Sequence, residues 1–178
     1  MRSVEEQQSR VTAAAVAPRP VRVAISEAQG LLCAEEVVTE RPLPGFDQAA
    51  IDGYAVRSVD IAAAGSATDD DGAPVDISLP VVGEVAAGSR QPIRLQPRQA
   101  VRVDTGAPLP TLADAVLPVE RAKLARGRIE VLAPVRSGEY VRRIGDDVQP
   151  GDVAVRSGTI IGAAQVGLLA AVGRDKVL

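Results

Sequence analysis

Arg41-Pro42-Leu43-Pro44-Gly45-Phe46-Asp47-Gln48-Ala49-Ala50-Ile51-Asp52-Gly53-Tyr54-Ala55-Val56 is the stretch on which the reading of this chain turns. Two prolines and a glycine set a rigid lead-in, because proline fixes its own φ and glycine opens turn conformations. Two carboxylates five residues apart, Asp47 and Asp52, then flank a run of small residues that leads into Tyr54, Ala55 and Val56. Two readings stand side by side. Loops on a rigid scaffold often carry binding chemistry, so the block is able to hold an acidic site. Loop aspartates also cap neighbouring amides, which gives the same residues a purely structural task.

Two later blocks repeat that ambiguity. Val103-Asp104-Thr105-Gly106-Ala107-Pro108-Leu109-Pro110, followed by Ala113-Asp114-Ala115-Val116, places a hydroxyl, a glycine and a proline directly after an extended run. The Thr105 hydroxyl and exposed amides such as that of Gly106 suit an oxyanion. A tight turn with Thr105 bonded to the backbone accounts for the same residues. In Arg142-Arg143-Ile144-Gly145-Asp146-Asp147-Val148-Gln149-Pro150-Gly151, two arginines sit beside two aspartates. Carboxylates suit hard magnesium and arginines suit phosphate, while surface ion pairs need no ligand at all.

Around these blocks the pattern is β-rich. Runs at 75–85, 100–103, 115–119 and 128–132 are separated by Gly and Pro turn signals and predict a small β domain. The acidic Asp69-Asp70-Asp71-Gly72 reads as an exposed turn before the first run. Upstream, Ser3-Val4-Glu5-Glu6 fits a capping box, Val4, Val11 and Ala15 mark a weakly apolar helix face, and Pro18 and Pro20 close the helix. Residues 21–25 read as extended, 26–30 as a short helix stopped at Gly30, and 31–39 as a strand. At the far end 162–172 predicts a tightly packed helix ended by Gly173, and 176–178 the start of another strand.

Composition narrows the chemistry. The 178 residues are 46% apolar and 24% charged, with one Phe, two Tyr and no Trp, so the core is built from Val, Leu, Ile and Ala. A net charge of −3 gives no electrostatic argument for nucleic acid. The single Cys33 excludes an internal disulfide, and with no His a Ser-His-Asp triad and structural zinc are excluded within this chain. No run approaches the roughly 18 apolar residues of a membrane span, and the polar, acidic start differs from an apolar signal region, so the expectation is a cytoplasmic protein without a membrane partner.

Taken in order, the three blocks resemble the molybdopterin molybdenumtransferase family, the bacterial MoeA proteins and the related E domain of gephyrin. The family's proline-rich lead, Phe-Asp and Asp-Gly-Tyr-Ala-Val match residues 42–56. Its Thr-Gly-Ala-Pro-x-Pro with a following Asp-Ala-Val matches 105–116, and its Arg-x-x-Gly-Glu-Asp with a following Gly matches 142–151. Gly-Leu-Leu-Ala-Ala-Val-Gly matches 167–173. Four positions depart from the pattern: Gln48 stands where Asn is common, Ile51 for Met, Leu112 for Gly and Asp146 for Glu. Loss of a glycine at 112 is expected to reshape the turn after Pro110.

The resemblance implies an α+β fold, with a discontinuous helical dimerisation domain over 1–27 and 144–178 and a β-rich domain inserted over 28–143. In this picture the first and last helices pack together and help to form a homodimer. It implies transfer of molybdenum from molybdate to the dithiolene of adenylylated molybdopterin, with Mg2+ and release of AMP. Carried over by motif, Asp52, Thr105 and Asp147 are the expected catalytic residues. Asp52 and Asp147 would hold magnesium or order molybdate and water, and Thr105 would bond an oxyanion. Gly106, Arg142 and Arg143 are the expected cofactor-binding residues. Besides the pterin substrate, the molybdopterin adenylyltransferase is a further expected partner. Family members continue into a pterin-binding domain and a small C-terminal β domain, and their cleft forms between protomers, so this chain is expected to supply one wall and to be inactive alone. The competing reading is a non-catalytic dimerisation or scaffold module.

Overall fold

The computed structural model describes residues 2–16, 18–64, 76–90 and 93–178, and the chain forms two compact units. One is Thr39–Asp152; the other joins Met1–Val38 to Val153–Leu178. Residues 28–38 and 144–152 therefore lie on the opposite side of the boundary from the sequence expectation. Hydrogen bonding explains the placement. Leu32 bridges Ile160, and Val37–Val38 pairs antiparallel with Val153–Val155. Residues 144–152 are tied instead to the proline-rich lead, through Gly145 N to Pro44 O at 3.0 Å and Asp147 N to Leu43 O at 2.8 Å.

The larger unit is organised by a six-stranded mixed sheet: β1 (Gly53–Val56), β2 (Ser78–Val85), β3 (Ala100–Val103), β4 (Ala115–Pro118), β5 (Ala122–Ala125) and β6 (Arg128–Val131). Their order is β4-β1-β3-β2-β6-β5. Only β2 and β3 run parallel, and the long connection between them is what a parallel pair requires. The central strand β1 is buried on both faces, which is why Gly-Tyr-Ala-Val carries no polar residue. Tyr54 and Val56 pack with Leu79, Leu117 and Ile129, while Ala55 packs on the opposite face with Val101, Val103 and Val116. Gly53 meets a tighter constraint. A Cβ there would stand 2.3 Å from the Leu117 carbonyl oxygen, so the Asp-Gly-Tyr sequence needs glycine for β1 to approach β4.

Each of the four expected β runs holds a strand, but three are shorter than expected: 78–85 for 75–85, with residue 75 outside the described residues, 115–118 for 115–119, with 119 in the 3-10 turn Val119–Arg121, and 128–131 for 128–132. Residues 69–72 lie outside the described residues. Unforeseen was β5, whose hairpin with β6 turns at Arg126 and Gly127, both with positive φ. Two successive positive φ angles are what a short hairpin turn demands.

The smaller unit has a core of Ala28, Cys33, Val37, Val155, Ile161, Leu169 and Val177. Val23–Ala24 pairs antiparallel with Lys176–Val177, so the start of a strand read at 176–178 finds its partner. Between 31 and 39 only Val37–Val38 is strand. The second long helix, Ala163–Ala171 (α2), begins at Gly162, whose amide donates to Gln165 Oε1 at 3.0 Å. The first, α1 (Val4–Ala14), has the capping box read from sequence, Glu6 N donating to Ser3 Oγ at 3.1 Å. It buries none of its residues, however, and is exposed along its whole length. The expected packing of the first helix against the last is thus not made: Val4 and Val11, a thin stripe on an otherwise charged helix, stay open.

Candidate active site

All three sequence blocks converge on the larger unit. Gln48–Ala49 is the hub. On one side it pairs antiparallel with Val141–Arg142, in the register Arg142 opposite Gln48. On the other side Ala49 N donates to Ala107 O at 3.0 Å, Gly106 N to Ala49 O at 2.9 Å, and Leu109 N to Asp47 O at 2.9 Å. A short segment of the first block is therefore flanked by the second and the third, although 58 residues separate Ala49 from Ala107 in the chain.

Asp52 and Thr105 meet directly. The Thr105 amide and hydroxyl both donate to Asp52 Oδ1, each at 2.7 Å. Asp52 itself is exposed, and the bonds from Thr105 go to Oδ1 and leave Oδ2 out. The hydroxyl bond and then the amide bond hold the Asp52 carboxyl below the usual carboxylate range, with Arg102 helping more weakly. Gly106, with φ +82°, makes the turn that brings Thr105 back over Asp52. Its amide is committed to Ala49 O, and the Thr105 hydroxyl hydrogen is committed to Asp52.

Asp147 pairs with Arg142 in an exposed ion pair. Arg143 reaches the first block, donating from Nη1 to Asp47 Oδ2 at 2.6 Å, while Ile144 N donates to Asp47 Oδ1 at 2.9 Å. Partial burial pushes the Asp47 carboxyl up, but the Ile144 amide and the Arg143 guanidinium outweigh it and the net shift is downward. Arg143 N donates to Asp146 Oδ2 at 2.7 Å, closing the turn that carries Asp147. An aspartate suits that task, since its short side chain reaches an amide three residues back.

Sequence reasoning passed over two carboxylates. Asp47 was visible as half of a spaced pair, but its partners lie 96 and 97 residues away and no local pattern marks them. Asp114 accepts from Ser58 N and Ser58 Oγ, both at 2.7 Å, and so anchors the helical turn Ser58–Ile61, whose own N-cap residue, Arg57, makes no side-chain cap bond. Burial raises its carboxyl and the Ser58 and Ser137 bonds lower it further, for a net downward shift. Leu112 is a third surprise. It adopts φ +76°, the left-handed conformation natural to glycine.

Among the described residues, no group of three or more His, Cys, Asp or Glu side chains is placed to hold a metal ion. A cleft of about 940 Å³ lined by Ser58, Arg121, Arg136, Ser137 and Glu139 takes in none of the expected site residues. Asp52, Thr105 and Asp147 are all exposed, so the acidic loops present an open face.

Fold and site together define a class: a mixed α/β chain in which a β-rich unit, presenting hydrogen-bonded carboxylates on converging loops, interrupts a smaller unit in sequence. More particularly, the chain belongs to the MoeA N-terminal region family (domain I and II), whose family model matches residues 2–173. It is 70% identical to molybdopterin molybdenumtransferase 1 of Mycobacterium tuberculosis (strain ATCC 25618 / H37Rv), over 100% of this chain and 44% of that protein. With molybdopterin molybdenumtransferase 2 of the same strain it shares 38% identity, over 97% of this chain and 41% of the relative. A solved molybdopterin biosynthesis MoeA protein from Pyrococcus horikoshii superposes with a TM-score of 0.80 at 32% identity, over 97% of this chain and 42% of that one. The chain therefore spans less than half the length of these relatives.

Proposed function

We propose that the protein carrying this chain is a molybdopterin molybdenumtransferase, which inserts molybdenum from molybdate into adenylylated molybdopterin, and that the open face of the larger unit supplies one wall of its active site. The observation that carries this is the convergence of the three family motifs on Gln48–Ala49, in a chain 70% identical to a protein of that name. The 178 residues alone are then inactive, because the pterin-binding surface lies in the remaining length of the relatives.

In this reading Asp52 is the central group. Thr105 fixes one carboxylate oxygen of the exposed Asp52 and leaves the other as an acceptor, able to order the water or the protonated oxygen of an incoming oxyanion. Thr105 then acts chiefly by orienting Asp52, since its hydroxyl hydrogen is already given away. Arg142 brings positive charge to the same face for a phosphate, and Asp147 holds it there.

Magnesium fits only in one way. With no three-carboxylate cage among the described residues, the free oxygen of Asp52 or the Asp147 carboxylate would share the ion with substrate phosphate, the mode in which magnesium keeps several waters. The ion would neutralise charge on that phosphate. Homodimer formation, a cytoplasmic setting and supply of substrate by the molybdopterin adenylyltransferase go with this proposal.

The test is Asp52→Asn in the complete polypeptide. Insertion of molybdate into adenylylated molybdopterin should be abolished with the far-ultraviolet spectrum and thermal midpoint unchanged. Unaltered insertion would remove Asp52 from the mechanism and the acidic face with it. One observation favours a dimerisation or scaffold role as a second reading: α1 is wholly exposed, with Val4 and Val11 open on it. A complete polypeptide that dimerises yet inserts no molybdenum would support that reading.

A further inference from the structure

We propose that Asp47 is a positioning residue that sets the Thr105 turn and the Asp147 loop in register with each other; the proposal rests on the molybdenum-transfer reading above. The two loops are joined through the segment 47–49. Thr105 and Asp52 form one hydrogen-bonded group, Asp147 and Arg142 another, and each stands on an exposed loop. Asp47 touches the framework of both. Its backbone carbonyl accepts from Leu109 N at 2.9 Å, at the far end of the turn that begins with Thr105. Its side chain accepts from Ile144 N at 2.9 Å and from Arg143 Nη1 at 2.6 Å, at the start of the loop that carries Asp147.

Both carboxylate oxygens are used, one by an amide and one by a guanidinium. Such charge-assisted bonds are shorter and stronger than neutral ones, and two together fix orientation as well as distance. Other backbone anchors of the Asp147 loop, among them Gly145 N to Pro44 O and Asp147 N to Leu43 O, run to the proline-rich lead. Gln48–Ala49 links the strand before that loop to the Thr105 turn through backbone bonds alone, so Asp47 is the residue of this segment whose side chain holds the Asp147 loop. Asp47 also decides which arginine does what. With Arg143 drawn back onto Asp47, Arg142 is the one left beside Asp147. Loss of the Asp47 carboxylate frees Arg143 to compete for Asp147, and the loop loses its defined partner. With both of its carboxylate oxygens engaged by Ile144 and Arg143, the part of Asp47 is to position and not to react.

Asp47→Asn keeps the shape and one acceptor but removes the charge that holds Arg143. In the complete polypeptide it should lower kcat for molybdenum insertion by about ten- to a hundred-fold, the usual cost of removing a group that orients a site residue. KM for the pterin should move far less. Arg143→Gln should give the same loss, and the Asp47→Asn, Arg143→Gln double variant should be no worse than either single one, because all three break one interaction. Hydrogen exchange separates positioning from stability: amides of 144–148 should exchange faster in Asp47→Asn while those of β1, β3 and β4 stay unchanged. Insertion within twofold of the unsubstituted protein, or faster exchange across the whole sheet in step with the lost activity, would overturn the proposal. Asp52→Asn inactive beside a fully active Asp47→Asn sinks this proposal alone; Asp52→Asn fully active sinks the transfer reading and this proposal together.

Discussion

Thr105 gives both of its hydrogen-bonding hydrogens, amide and hydroxyl, to a single oxygen of Asp52. Among the described residues this is a direct bond between two residues expected from separate motifs, and it divides the labour between them: threonine orients, aspartate is the group offered to substrate.

Replacing Thr105 by Val should therefore lower insertion activity through Asp52. Loss of the hydroxyl bond, the larger cause of its depressed carboxyl pKa, should return the Asp52 carboxyl toward the usual carboxylate range, while Thr105→Ser should leave it low. Carbonyl NMR titration of Asp52 measures this directly. A valine variant with an unmoved Asp52 titration would mean that the hydroxyl does not orient the carboxylate.

Asp114 is expected to govern part of the acid stability of the larger unit. Its folded carboxyl pKa is lowered, so its stabilising contribution is fully present above the unfolded value near 3.9 and is lost as pH falls through the lower folded value. Thermal midpoints taken from pH 6 down to pH 2 should fall less steeply in Asp114→Ala than in the unsubstituted chain. At neutral pH the same variant should cost about 1–3 kcal/mol in urea unfolding, because it strips the Ser58 amide of its partner.

At Leu112 the sign is reversed. A leucine held at φ +76° carries about 1–2 kcal/mol of backbone strain, against about 0.4–1 kcal/mol of extra unfolded-state entropy for glycine. The side chain is 49% exposed, so little packing is forfeited. Leu112→Gly should leave stability unchanged or raise it by up to about 1 kcal/mol. A loss larger than that in urea unfolding would show that the leucine packs against something that outweighs the strain.

Much of this was legible in the chain itself, because the decisive signals are local. The capping box at Ser3 and Glu6, the glycine after α2, and the β runs 100–103 and 128–132 each depend on neighbours within a few positions. The site divides in the same way. Asp52, Thr105 and Asp147 stand in recognisable motifs, but that Asp52 and Thr105 share a bond, and that Arg143 belongs to Asp47, depends on strand register across the fold. Nothing local to Asp47 marks residues 143 and 144 as its partners. The boundary at Val38 was hidden for a related reason: residues 31–38 read as extended in either unit, and only pairing with 153–161 decides between them. Leu112 shows the converse, a leucine whose own left-handed φ no local pattern announces.

The exposed α1 carries a thermodynamic consequence of its own. Eleven residues with one good cap fall short of the roughly 12–15 at which an isolated helix persists in water, and no tertiary burial supplements them. Its helix–coil equilibrium, taken alone, therefore leans toward coil, and a modest free energy of association along one face is enough to shift it. The ellipticity of this segment becomes a built-in gauge of assembly, low when the segment is bare and rising in step with whatever surface comes to lie along Val4 and Val11.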